Sequence, residues 1–380
     1  MHGRTGTIRM RVGVPAEIKP DEYRVSLTPA GARELVDRGH QVLVQAGAGT
    51  GSQIPDAAYE AQGARIVPGA EDVFDQAELI VKVKEPQGPE VELLTEHHVL
   101  FTYLHLAAAP ELILGLVDSG ATCIAYETIE DGDGRLPLLA PMSEVAGKLA
   151  TQSGAFMLER PQGGRGALLG GVAGVGAARV MIIGAGVVGQ NAARIAIGLG
   201  AETYVYDRSL ETLRRVDRWL DGRASTCYSS SLAIEERLPE VDLVIGAVLI
   251  HGARAPRVIG REQLALMKEN AVLVDVAIDQ GGCFETSRPT THSDPTYEVD
   301  GVVHYCVANM PGAVPVTSTH ALTNATMPYV VPFAARGTDA LADDPGFLAG
   351  LNVCSGRVTH EGVADAAGVD AVTPLEAIAR

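Results

Sequence analysis

Residues 179–207, RVMIIGAGVVGQNAARIAIGLGAETYVYD, restrict the fold more than any other stretch of the chain. Val180 to Ile183 form a short apolar run, Gly184, Gly186 and Gly189 follow as G-x-G-x-x-G, and Asn191 to Leu199 carry the period of a helix. A second apolar run from Thr203 to Tyr206 ends on Asp207. Each part has a physical task. Gly184 permits the tight turn, Gly186 lets the backbone approach a pyrophosphate, and Gly189 lets the helix pack against the strand. The free N–H groups at the start of that helix attract an anion, and Asp207 stands where a carboxylate accepts hydrogen bonds from a ribose. A glycine triplet alone is explained by any tight strand-to-helix turn. Strand, triplet, helix, strand and acid in register predict a dinucleotide-binding unit.

A chain of 380 residues is long for a single core and predicts two domains. Apolar residues make up 46% and aromatics 4%, so aliphatic cores are expected. The formal charge of −17 disfavours nucleic acid and anionic membrane as partners, since both select a basic face. No apolar run reaches the length of a membrane span. Residues 1–9 are basic and lack an apolar segment, which reads as a disordered extension and not as a signal peptide. Cys123, Cys227, Cys283, Cys306 and Cys354 are scattered without a C-x-x-C pair, which predicts reduced thiols, no metal site and a cytoplasmic setting.

Along the chain, strands are expected at residues 12–15, 41–45, 79–83, 99–104 and 122–126. Thr28-Pro29 reads as a helix cap with proline in the first turn, and Gly39 closes that helix. Residues 56–62 and 111–118 are further helices, and Asp131-Gly132-Asp133-Gly134 marks a turn near a boundary. A long helix is expected over 141–159, with Ala146, Leu149, Ala150, Ser153 and Phe156 available to bury. The glycine-rich segment after Pro161 fits a linker, or a short edge strand at 167–169. Beyond Asp207 come a helix at 210–220, strands at 242–248, 272–278 and 303–307, and a weak strand at 226–228. From Thr317 the pattern is helical, and the remaining tail is too small to fold alone. The expected class is α/β: two Rossmann-like domains with mainly parallel sheets. A nucleotide domain of 138–315 is inserted into a discontinuous substrate domain of 1–137 and 316–380.

Four stretches carry polar groups at strand ends, where open parallel sheets place their ligands. In PAEIKPDEYRVSLTPAG, Arg24 offers a fork suited to a carboxylate, or else a salt-bridged surface group. In LIVKVKEP, Lys82 and Lys84 interrupt an apolar strand. Lys84, just before the Glu85-Pro86 break, fits a site at the strand's carboxyl end; the alternative is both lysines on the wet face of an edge strand. His105 follows the run VLFTYL and can exchange protons near neutral pH; the alternative is a buried histidine satisfied by a carbonyl. Asp279 follows the strand in AVLVDVAIDQGG as a site acid or a turn former, whereas Asp275, inside the strand, is structural. Together one arginine, one lysine, one histidine and one aspartate beside a nicotinamide site can bind an amino acid's carboxylate and move its protons.

At these residues the sequence resembles the alanine dehydrogenase family from Met10 onward. The segments GVPAEIKPDEYRVSLTPAGARELVDRG, LVKVKEP, LFTYLHLA, LPLLAPMSEVAG, LVIGAVL, VDVAIDQGGCFETSRPTT and TSTHALTNATMPY are similar to family blocks, with Asp21 where asparagine is usual. The resemblance implies reversible oxidative deamination of L-alanine to pyruvate and ammonium with NAD. It assigns substrate binding to Arg24 and Lys84 and acid–base roles to His105 and Asp279. Cofactor contacts fall on Ser143, Gly184, Gly186, Val188, Gly189, Asp207, Thr212, Ser229, Val248, Leu249, Asp279, Arg288, Asn309 and Met310. Val188 stands where alanine is frequent and Thr212 where lysine occurs. The resemblance also implies a homo-oligomer, a hexamer in the family. The related transhydrogenase α-subunit and a saccharopine-type imine reductase are the alternative readings.

Overall fold

Short apolar runs alternating with helices build two twisted sheets, one in each of two units. The computed structural model describes residues 9–248 and 255–379. Its two compact units are Met1–Met142 with Val314–Arg380, and Ser143–Ala313.

In the first unit, β1 (Arg11–Val14), β2 (Gln41–Gln45), β3 (Arg65–Val67), β4 (Leu79–Val81), β5 (Val99–Thr102) and β6 (Thr122–Ala125) run parallel. Thr28 caps the helix Pro29–Asp37, its hydroxyl accepting from the Gly31 N–H at 3.3 Å. Such a cap contributes about 1 kcal/mol. The chain winds outward from β1 through β2 to β3, then returns to β4 and winds the other way to β6.

In the second unit, β7 (Arg179–Ile183), β8 (Glu202–Asp207), β9 (Ser225–Tyr228), β10 (Leu243–Gly246), β11 (Val272–Asp275), β12 (Thr296–Val299) and β13 (Val302–Tyr305) form a seven-stranded sheet. Its order, β12-β13-β11-β10-β7-β8-β9, repeats the same outward winding from a central first strand. One strand more is present than the six expected: β12 is a half-buried, antiparallel edge, too short and polar to announce itself.

The C-terminal strands β14 (Leu351–Cys354) and β15 (Arg357–Val358) complete the first sheet in the order β15-β14-β6-β5-β4-β1-β2-β3. β14 lies antiparallel to β6. Val353, Val358, Val363 and Ala364 share a core with Leu43, Ile80, Leu100 and Ile113. Burying each larger aliphatic there stabilises by roughly 1.5–3 kcal/mol. Polar Asn352 hides β14 in the sequence, because asparagine favours turns; here it is buried, and its amide donates to Thr128 Oγ1 at 2.8 Å and to the Gly350 carbonyl at 3.1 Å.

Three local expectations are corrected. Residues 167–169 form no strand; the glycines around them leave only a bridge between Val172 and Val175. In the helix Ala140–Met157, Ala146, Leu149 and Ala150 are buried, but Phe156 is 49% exposed. The edge-strand reading of the two lysines also fails, since β4 is central and Lys82 is fully buried.

Candidate active site

Parallel strands present their carboxyl ends on one side of a sheet, and in the first unit several glutamates and basic side chains gather there. Arg24 follows β1, Lys84 follows β4, and His105 follows β5. Lys84 Nζ stands 3.4 Å from His105 Nε2. Arg24 is 3% exposed and not a surface group: its Nε and Nη2 donate to the Glu22 carboxylate at 2.6 and 2.5 Å, and Nη1 donates to Met142 Sδ at 3.1 Å. Burial works against the guanidinium charge, but Glu22 outweighs it and raises the pKa. The planar fork of a guanidinium suits a carboxylate, and the Glu22 carboxylate lies along its Nε–Nη2 side.

Carboxylates also hold the backbone of these groups. Glu22 Oε1 accepts the Arg24 N–H at 3.0 Å. Glu17 accepts the N–H of Val83 at 2.6 Å and of Lys84 at 3.3 Å. Glu127 accepts the N–H of Leu104 at 3.1 Å and of His105 at 2.5 Å. Glu17 is itself fixed by buried Lys82, whose ammonium donates to Glu17 at 3.1 Å and to Glu90 at 2.6 Å. Desolvation opposes that ammonium, yet the two carboxylates keep the Lys82 pKa above its ordinary value. Lys82 is therefore structural, one step behind the site. Removing one partner from such a buried ion group costs about 3–5 kcal/mol.

His105 is exposed, not a satisfied core histidine, and its backbone is left-handed with φ 50° and ψ 36°. That conformation costs an L-residue with a Cβ roughly 1–2 kcal/mol. The ring stacks on Tyr103 with centroids 5.9 Å apart and planes 11° from parallel. Tyr103 in turn donates to the Leu138 carbonyl at 2.5 Å, and burial pushes its phenol well up.

In the second unit the glycine motif forms the turn from β7 into the helix Val187–Gly198, with Gly186 at the N-cap. Gly184 has φ +104°, and a side chain there would strike the Ala247 carbonyl oxygen. A Cβ on Gly189 would collide with the Gly184 carbonyl oxygen, so helix and turn are as close as backbones allow. A Cβ on Gly186 would meet nothing within 4 Å. Asp207, at the end of β8, accepts the Ala185 N–H at Oδ2 and the Ser209 N–H at Oδ1, both at 2.8 Å. The carboxylate is thereby fixed beside the glycine turn.

The other expected cofactor contacts fall on several separate elements. Val188 lies half-buried in the first turn of the motif helix, and Val248 follows β10. Ser229 follows β9 and donates its N–H to the Asp207 carbonyl at 2.9 Å. Thr212 sits in the first turn of Leu210–Trp219, its N–H bound by the Ser209 hydroxyl. Asp279 is exposed in a short helical turn after β11 and caps nothing with its side chain; it accepts the Asn309 N–H at 3.4 Å. Asn309 has φ +58°, and Met310 beside it is buried. Arg288 stacks over Tyr297 at 4.0 Å. Ser143 lies half-buried in the helix Ala140–Met157. Leu249 lies outside the described residues.

Asp275 is the structural acid expected from its place inside a strand. It accepts from the N–H of Ala277 at 3.0 Å, the N–H of Cys283 at 2.9 Å and the Ser287 hydroxyl at 2.5 Å. Burial raises its pKa against those bonds.

An open space before a helix N-terminus, closely packed glycines and a fixed acid at the next strand's end suit the pyrophosphate and ribose of a dinucleotide. Glu17, Glu22 and Glu127 escaped sequence reading, although Glu22 stands two residues before Arg24 and Glu127 just beyond an apolar run. Among the described residues, no helix is long and apolar enough to cross a membrane.

Comparison with known proteins bears on the family and the fold. Residues 13–146 match the N-terminal domain and residues 150–361 the C-terminal domain of Alanine dehydrogenase/PNT. The chain is 61% identical over 364 residues to an alanine dehydrogenase of Halomonas elongata, covering 96% of this chain and 98% of that one. A solved L-alanine dehydrogenase superposes with a TM-score of 0.91 at 50% identity, over 94% of this chain and 99% of that one. A transhydrogenase from Sinorhizobium meliloti gives 0.79 at 26% identity, over 92% and 99%. Matched along both of its units, the chain belongs to the alanine dehydrogenase/PNT family.

Proposed function

We propose that this protein catalyses the reversible oxidative deamination of L-alanine to pyruvate and ammonium with NAD. The observation that carries the reading is the 3.4 Å approach of Lys84 Nζ to His105 Nε2 at the carboxyl ends of adjacent strands. In a chain of net charge −17, that pair and Arg24 are suited to receive a small anionic substrate. Greater likeness to alanine dehydrogenases than to the transhydrogenase supports it.

Gly184, Gly186, Val188 and Gly189 would hold the pyrophosphate, and Asp207 the adenosine ribose, with Ser143, Thr212, Ser229, Val248, Leu249, Arg288, Asn309 and Met310 completing the binding surface. NAD, when bound, accepts the hydride that leaves the substrate Cα. Arg24 and Lys84 fix the carboxylate and the carbonyl end, which removes rotational freedom before reaction. Neutral His105 takes a proton from the water that adds to the iminium carbon and returns it to the nitrogen as the carbinolamine collapses to pyruvate and ammonium. Asp279 orients the ammonia or water. The fixed Asp207 carboxylate repels a 2′-phosphate, so NAD is preferred over NADP. We place the enzyme in the cytoplasm as a homo-oligomer, a hexamer by family.

The test is NADH formation by the purified chain offered L-alanine and NAD, beside a panel of other amino acids and the reverse reaction with pyruvate and ammonium. Turnover greatest with alanine is expected. NADH binding without turnover on any amino acid would instead favour the transhydrogenase-type subunit.

A further inference from the structure

We propose that Glu127 is a positioning residue for His105, acting through the backbone and not through the reacting atoms. The inference rests on the reading of His105 as acid–base group. Three observations meet at this point. His105 occupies the left-handed region at φ 50° and ψ 36°, where a side chain is unfavourable and glycine or asparagine is the usual occupant. The residue lies in the loop immediately beyond β5, so nothing in the sheet ladder itself fixes that conformation. The Glu127 carboxylate, two residues beyond β6, reaches across the paired strand ends. Oε1 accepts the N–H of His105 at 2.5 Å and of Leu104 at 3.1 Å, and Oε2 also accepts the Leu104 N–H at 3.2 Å.

A carboxylate receiving consecutive backbone N–H groups forms a clamp that holds the turn and so aims the imidazole at Lys84 Nζ, 3.4 Å away. Without it the loop relaxes toward an ordinary right-handed or extended conformation, and the ring moves. Displacements of about 1 Å can cost on the order of 10²-fold in rate.

Steady-state kinetics of Glu127→Ala, Glu127→Asp, Glu127→Gln and His105→Ala, beside NADH affinity, test this. Glu127→Ala is expected to lower kcat on the order of 10²-fold while KM for alanine and the NADH Kd change about threefold or less. Glu127→Gln keeps an acceptor oxygen and should restore most of the rate; Glu127→Asp, one methylene short of both N–H groups, should not. The solvent deuterium isotope effect on kcat should rise in the slow variants, because proton transfer through a misplaced ring becomes limiting; a smaller folded fraction would leave it unchanged. If Glu127→Ala does not fold, the Asp and Gln variants decide alone. Wild-type kcat in Glu127→Asp, beside an inactive His105→Ala, overturns the clamp and leaves the histidine's role standing. An active His105→Ala overturns both.

Discussion

The two units repeat one winding pattern but build their candidate sites by different means. In Ser143–Ala313 the work is done by backbone: a glycine turn, a helix N-terminus and one acid lie within a single continuous stretch. In the first unit it is done by side chains, with Arg24, Lys84 and His105 separated along the chain and brought together at successive strand ends. Each of these basic residues gives its N–H to a glutamate. A backbone site needs space and steric permission, whereas a side-chain site needs supporting charges. The first kind is compact in sequence; the second is dispersed.

Substitution can break that contrast. The largest effect is expected from His105→Ala, which should lower kcat by roughly 10²–10⁴-fold with NADH affinity nearly unchanged. Initial rates beside a fluorescence titration of NADH check this, and near-normal turnover would sink the histidine's assignment. Next comes Lys82→Met, which leaves Glu17 and Glu90 buried without their counter-charge. A loss of about 3–5 kcal/mol is expected. Hydrogen exchange should show protection falling around β1 and β4 while β7 and β10 stay protected.

Two glycines sharpen the comparison. Gly189→Ala forces a methyl into the Gly184 carbonyl and should destabilise by roughly 1–3 kcal/mol, read by urea denaturation. Gly186→Ala meets no protein atom within 4 Å, so stability should hold. NADH affinity should nonetheless fall about tenfold, or about 1.4 kcal/mol. A Gly186→Ala protein with unchanged affinity would remove the support for a pyrophosphate at that turn.

The smallest expected effect is a pH dependence of the second unit. Burial lowers the pKa of His304, whose ring nitrogens lie 2.7 Å from Thr286 Oγ1 and 2.9 Å from the Val302 carbonyl. The folded state therefore binds fewer protons than the unfolded chain near the ordinary histidine value of 6.5. Its contribution is complete above that pH and is lost as the pH falls through the lower folded value. The urea midpoint should decline on acidification below 6.5, and His304→Gln should flatten that slope.

How much was legible beforehand follows from the same contrast. The glycine turn and Asp207 could be read directly, because sterics and spacing are local. The strand-end positions of Arg24, Lys84 and His105 followed from apolar runs ending at polar residues. The glutamates did not, because a buried carboxylate looks like a solvated one until its partner is known. The partners of Lys82 were hidden in the same way: it is locked between two carboxylates, whereas Lys84 stands beside His105. Strands β3, β12, β14 and β15 were missed because edge exposure, shortness or a buried asparagine breaks the expected alternation.

The antiparallel pairing of β14 with β6 bears on how the protein is made. During synthesis all seven strands of the inserted unit leave the ribosome before Leu351 does, so that unit can mature while the first sheet still waits for its last members. Until then β6 is a bare edge able to pair with a neighbouring nascent chain. Chains cut short before β14 should consequently be lost to aggregation and proteolysis, although every residue proposed for chemistry has already been translated.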